Sequence, residues 1–194
     1  MELINIWRHL KKICVHKYWV ARYCFKAGLY WQGITHDLSK FSPTEFIESV
    51  KYYQGTRSPI AACKEENGYS KAWLHHRGRN LHHYQCWTDD FDNNHTDKGI
   101  TLIEMPYKYA LEMLCDYLGA ARAYLGKDFT YSKEWGWWVS KRDNSAMNPH
   151  TKHFIDACLH NMAVLENCDI LSCEPQLRAI YEFRGTDFFP EVLN

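Results

Sequence analysis

Eleven histidines are spread unevenly along the chain. His36 abuts Asp37, and His75, His76, His82 and His83 crowd into one short segment. Neutral imidazole and carboxylate are donors suited to Mn, Fe, Co, Ni and Zn. A softer ligand set is missing, because the eight cysteines are scattered and form no C-x-x-C. Most lie among apolar residues and read as free buried thiols in a reducing compartment. Neighbouring side chains on a helix diverge by about 100°. His36 and Asp37 therefore reach one ion only if it sits over a helix surface or end, or if a tight turn holds the pair. One His from an earlier helix and one Asp from a later helix would complete four ligands inside a helical bundle.

The elements that must carry such a cluster are helical. Residues 3 to about 28 read as one long helix, with Ile6, His9, Ile13, His16, Val20, Tyr23 and Ala27 recurring at steps of three and four. A second stripe, Leu3, Trp7, Leu10, Cys14, Ala21 and Phe25, predicts a helix packed on two faces with His16 pointing inward. A break over 28–35 precedes a brief helical piece at 36–41. Ser42-Pro43-Thr44-Glu45 then supplies a cap, a proline at the first helical position and a Glu three after the cap, opening a helix to about Gln54. Residues 55–68 read as a loop or short helix, Gly78 and Asn80 as breakers in the His-rich stretch 69–84, and 89–99 as a solvated turn. Pro106 opens a helix to about Leu125 with a stripe of Leu111, Leu114, Leu118, Ala121 and Leu125, which Gly126 ends. Asn148-Pro149 starts another, with Phe154, Cys158, Met162 and Leu165 as its apolar face, and a short last helix follows Pro175. Nothing alternates with period two, so no sheet is expected.

Lys+Arg and Asp+Glu both total 23, leaving no overall field to draw the chain to long nucleic acid or an anionic membrane. A hydrophobic content of 46% is that of a folding chain, not a disordered one. No window approaches a membrane span, and the first residues lack a leader pattern, so the expectation is a cytoplasmic protein with a single domain over residues 1–194.

The spacing His-x19-His-Asp-x78-Asp, through His16, His36-Asp37 and Asp116, resembles the HD-domain superfamily of metal-dependent phosphohydrolases. His36-Asp37-Leu38-Ser39-Lys40 is similar to a form common there, and the whole chain looks like an uncharacterised HD-like family of bacterial and phage proteins. The resemblance implies an all-α, single-domain bundle of HD type. Its metal ligands would be His16, His36, Asp37 and Asp116, holding one or two divalent transition-metal ions (Mn, Fe, Co, Ni or Zn). Asp37 would be pivotal, bridging two ions or orienting water, and Lys40 would lie near the substrate phosphate. Dinuclear members insert two more histidines in the interval that holds residues 75–83. His76 and His83 are the preferred ligands of their pairs, with His75 and His82 as alternates or substrate contacts. Lys40, Arg77 and Arg79 are candidates to neutralise phosphate oxygens.

The implied activity is hydrolysis of a nucleotide or other small phosphate ester by metal-activated water. Plainer readings stand beside it: Asp116 in a salt bridge or facing solvent with Glu112, and His36-Asp37 as a cap. Trp135, Trp137 and Trp138 with Lys141 and Arg142 read either as bundle packing or as a base-stacking wall. Two rival functions are a dinuclear-iron oxygenase on an HD-type scaffold and a non-catalytic helical protein that binds a nucleotide or partner.

Overall fold

The computed structural model describes residues 3–89 and 99–184, and among them the chain is all-α. The first helix, α1 (Leu3–Lys26), runs without Pro or Gly. A short α2 (Tyr30–Thr35) folds back on it, and a 3-10 turn (Leu38–Phe41) leads to α3 (Pro43–Lys51). Two short helices follow, α4 (Pro59–Asn67) and α5 (Lys71–Arg77), the second capped by Ser70 and closed at Gly78. Beyond them come α6 (Tyr107–Leu125), α7 (Tyr131–Arg142), α8 (Pro149–Leu165) and α9 (Glu174–Glu182).

Helix α6 is the axis of the core. Its residues from Ala110 to Asp116 are all buried, which means neighbours surround it, chiefly α1, α7 and α8. The closest approach is at Gly119, where an added Cβ would stand 2.3 Å from Val20 Cγ2 and 2.9 Å from the Val20 amide nitrogen. Only a glycine lets α1 and α6 come this near. His16 lies one turn before Val20, and Asp116 nearly one turn before Gly119, so the contact also sets the separation of those two side chains. A cluster of Val20, Cys24, Leu111, Leu114, Leu118, Trp138, Phe154 and Leu159 fills the space around this crossing.

Four expectations need correction. A two-stranded antiparallel ribbon exists, β1 (Thr88–Asp89) with β2 (Thr101–Leu102), too short for an alternating pattern to register. The second stripe of α1 is largely not buried: Leu3 and Trp7 are 78% and 69% exposed, because α2 reaches only the Phe25 end of that face. Leu125 and Leu165 are exposed because they are the last residues of their helices, beyond the packed turns. Helix α7 was not foreseen. Most of the expected turn over 89–99 falls outside the described residues.

Candidate metal centre

The His36-Asp37 pair lies in neither helix. His36 has φ −48° and ψ 126°, and Asp37 has φ 55° and ψ 28°, close to the central dihedrals of a type II turn. That turn usually places Gly or Asn at its second central position. Asp there costs on the order of 1–2 kcal/mol, a strain of the kind stored at functional sites. The gain is directional, since the turn aims both side chains to the same side, toward α1 and α6.

Four donors meet there. His16 Nε2 is 3.2 Å from Asp37 Oδ2 and 3.2 Å from Asp116 Oδ1, and His36 Nε2 is 3.3 Å from each of the same two oxygens. On the other side of Asp37, Oδ1 lies 3.3 Å from His76 Nε2 and 3.5 Å from His82 Nε2, with His83 completing a second group. The two groups, His16/His36/Asp37/Asp116 and Asp37/His76/His82/His83, share only Asp37, which offers one oxygen to each. All donors of a group lie within 4.8 Å of one another.

Supporting carboxylates fix the imidazoles. Glu112 Oε1 sits 2.9 Å from His36 Nδ1 and 3.1 Å from His82 Nδ1, so one oxygen accepts both N–H groups and leaves both Nε2 lone pairs facing Asp37. Glu112, His36 and His82 are also close enough to form a third ligand group, but the same rings cannot serve both through their hydrogen-bonded Nδ1. Glu45 divides its oxygens between His75 Nδ1 at 2.6 Å and His76 Nδ1 at 2.8 Å. Its spacing from Ser42 suggests a reciprocal capping box, and Ser42 Oγ does accept from the Glu45 amide at 3.5 Å. The carboxylate is directed to the histidines instead.

The charges are arranged for a cation. Burial opposes ionising Asp37, yet His36, Lys40 and His76 outweigh it and hold the carboxyl well below its ordinary range. His16 and His36 do the same for Asp116, again against burial. Glu45 and Glu112 are also lowered despite burial, by their histidine partners. Burial would discharge Lys40, but Asp37 and Asp116 raise it, and its ammonium pairs with Asp37. Two carboxylates, Asp37 and Asp116, thus act on the Lys40 ammonium while Glu45 and Glu112 rest on histidines, and buried charge without compensation is costly. The carboxylates around His36 overcome its burial and lift its imidazole well above the usual value.

Two observations test whether a metal fits. Buried His36 Nε2, Asp37 Oδ1, His82 Nε2 and His83 Nε2 have no hydrogen-bond partner, although they face other donors at short range. Lone pairs directed at a common point need something electropositive between them. Donor separations of 3.2–3.3 Å in the first group also match neighbouring ligands on one ion with bonds of about 2.0–2.2 Å. The donor set of imidazole and carboxylate suits Mn, Fe, Co, Ni or Zn.

The structure brings His16, His36, Asp37, Asp116, His76 and His83 together, with Lys40 beside Asp37. Four residues fall elsewhere than expected. His82, expected at substrate, is 2% exposed and lies among the donors because the turn after α5 folds its ring onto His36, with centroids 4.3 Å apart. His75 is held by Glu45 away from Asp37. Arg77 and Arg79 do not line the adjoining cavity, and Arg79 is exposed. Asp116 and Glu112 are both buried, so neither forms a solvated stripe. Of Trp135, Trp137 and Trp138, Trp138 is buried with its indole N–H on Asp156, Trp135 rests against His160, and Trp137 is exposed, on Tyr117. Glu45 reads in the sequence only as a cap partner and His9 only as a structural member of the His16 stripe, yet both, with Lys12, line a cavity of about 210 Å³ beside the donors.

Among the described residues no helix is long and apolar enough to cross a membrane. A family model described as "Family of unknown function (DUF5662)" matches residues 5–179. No curated protein and no solved structure matches the chain.

Proposed function

The chain belongs to the DUF5662 family, and from the chemistry of its site we propose that it is a metal-dependent phosphohydrolase of the HD type, acting on a nucleotide or other small phosphate ester. The observation that carries this reading is the single carboxylate of Asp37, shared between two groups of nitrogen and oxygen donors. His16, His36 and Asp116 would hold one divalent ion with Asp37, and His76, His82 and His83 a second. When bound, such ions supply Lewis acidity to a phosphate oxygen and bring the pKa of a water molecule near neutrality.

The protein's own groups do the rest. Glu112 keeps the Nδ1 protons of His36 and His82 in place, and Glu45 does so for His76. Both therefore hold basic Nε2 atoms in fixed directions before substrate arrives. Lys40 stays charged beside Asp37 and lines the 210 Å³ cavity, where its ammonium offsets the charge of phosphate oxygens. The apolar and aromatic walls, including Ile13, Trp73 and Tyr124, exclude bulk water from the reacting centre. Hydrolysis forms a bond from water oxygen to phosphorus, breaks the ester P–O bond, and delivers a proton to the departing oxygen.

The purified chain, supplied in turn with Mn, Co, Ni and Fe(II), should release phosphate or a nucleoside from a panel of nucleotides and simple phosphate esters. Asp37→Asn should abolish that turnover. Absence of turnover with every metal would overturn the reading. The same donors suit two irons, so oxygen uptake by the iron-loaded protein is measured alongside; uptake without ester hydrolysis would replace hydrolysis with an oxidative reading.

A further inference from the structure

A second chamber of about 580 Å³ adjoins the donor cavity, and the two share the side chains of Ser58, Ala120 and Tyr124. The shared lining is thus two small residues and one phenol. Beyond it the walls are apolar and aromatic: Ala121, Leu125 and Tyr117 from α6, and Trp137 from α7. Trp137 is 46% exposed, held edge-on to Tyr117 with ring centroids 5.6 Å apart. A large indole left half-bare on a chamber wall is a stacking platform in search of a flat partner.

A buried carboxyl group interrupts these walls. Glu134, on the first turn of α7, lines the chamber yet is only 4% exposed, and its Oε1 has no hydrogen-bond partner. Burial, reinforced by the Asp116 carboxylate, pushes its acid up to about 8. A neutral carboxyl group both donates and accepts, which matches a ring edge carrying hydrogen-bonding atoms and repels no uncharged ligand. Two exposed cations, Arg57 and Lys133, also line the chamber.

We infer that this chamber binds an uncharged heteroaromatic ring, a nucleobase or its equivalent, stacked on Trp137 and read at one edge by Glu134, while the phosphate of the same molecule lies past Ala120 in the donor cavity. This assignment rests on the hydrolase reading for the phosphate end, and deepens it by naming the group the phosphate is attached to. Glu134 and Trp137 set specificity and take no part in bond-making.

The test has two arms. The full chain without metal is mixed with adenosine, guanosine, cytidine and uridine, and ligand-observed NMR reports contact. At least one nucleoside binds, Trp137→Leu and Glu134→Leu weaken it by about ten-fold, and Glu134→Gln, which keeps a donor and an acceptor, largely restores it. Melting curves of the variants confirm that they fold. The second arm compares KM for phenyl phosphate and methyl phosphate in the metal-loaded protein: the aryl ester has the lower KM, and Trp137→Leu removes the difference. Failure of all four nucleosides to bind, or equal binding by both Leu variants, overturns the chamber's assignment. Nucleoside binding with no turnover of any ester leaves the chamber standing and removes the hydrolase reading. Turnover with equal KM values, unmoved at Trp137, does the reverse.

Discussion

Replacing Glu112 by Gln probes the arrangement at its least redundant point. One oxygen of Glu112 accepts the Nδ1 protons of His36 and His82, at 2.9 and 3.1 Å, and so serves a ring from each donor group. Gln keeps the size and can keep a carbonyl oxygen in place, so the substitution removes charge and little else. A hydrogen bond to a charged acceptor contributes about 1.5–3 kcal/mol and one to a neutral acceptor about 0.5–1.5. Two bonds each weakened by about 1 kcal/mol amount to about 2 kcal/mol, or roughly 30-fold in metal affinity. That falls within the 10–100-fold loss typical of groups that orient ligating histidines. Competition against a fluorescent chelator measures the affinity, and the metal-free melting temperature serves as control. Removing one of four clustered carboxylates should not lower that temperature. Glu112→Leu, which leaves two buried N–H groups unpaired, should lose more affinity than Gln. If Glu112→Gln binds Mn or Zn as tightly as the parent, packing alone orients the rings and the reasoning fails.

Two further predictions concern the scaffold. Gly119→Ala would drive a methyl group into Val20 and part α1 from α6, so chemical denaturation should show a loss of about 1–3 kcal/mol, together with weaker metal binding because His16 and Asp116 separate; an undiminished stability would mean that the helices meet less closely than described. His9, packed between Phe46 and Tyr53, is lowered to about 4 by burial and then by Lys40. The unfolded chain therefore binds a proton at higher pH than the folded one. This contribution is whole above pH 6.5 and is lost as pH falls toward 4, on the order of 1–3 kcal/mol. His9→Phe should flatten that part of the stability profile between pH 6.5 and 4, and an unchanged slope would assign the dependence to other groups.

How much of this was written in the sequence varies from residue to residue. His36-Asp37 is an adjacent pair, and His16 lies on the inward stripe of a helix whose period is plain, so these positions can be picked out directly. Asp116 stands in an apolar helix, and the i, i+4 relation to Glu112 puts both on one face; whether that face was buried depended on α1 covering it, a tertiary fact. The choice between His82 and His83 was not legible, because it depends on how the turn after α5 folds, and the structure brings both into the group. Glu45 was hidden by a spacing that also explains it as a cap. Helix α7 escaped notice because its Trp residues and Gly136 give neither a clean stripe nor strong helix propensity, while its buried Trp138 and Glu134 are fixed by packing against α6 and α8. The exposed stripe of α1 makes the same point in the other direction: Leu3 and Trp7 carry the period of a buried face yet stay mostly exposed among the described residues.

The central claim is that Asp37 joins two donor groups around bound cations. Elemental analysis of protein purified without a histidine tag tests it most directly, run beside Asp37→Asn, which tolerates the left-handed backbone at that position and removes the carboxylate. The account predicts one to two equivalents of a divalent transition metal in the parent and a near-empty variant with the same helix content. A parent free of metal after incubation with Mn, Fe(II), Co, Ni and Zn, or a variant that retains its full complement, would contradict it.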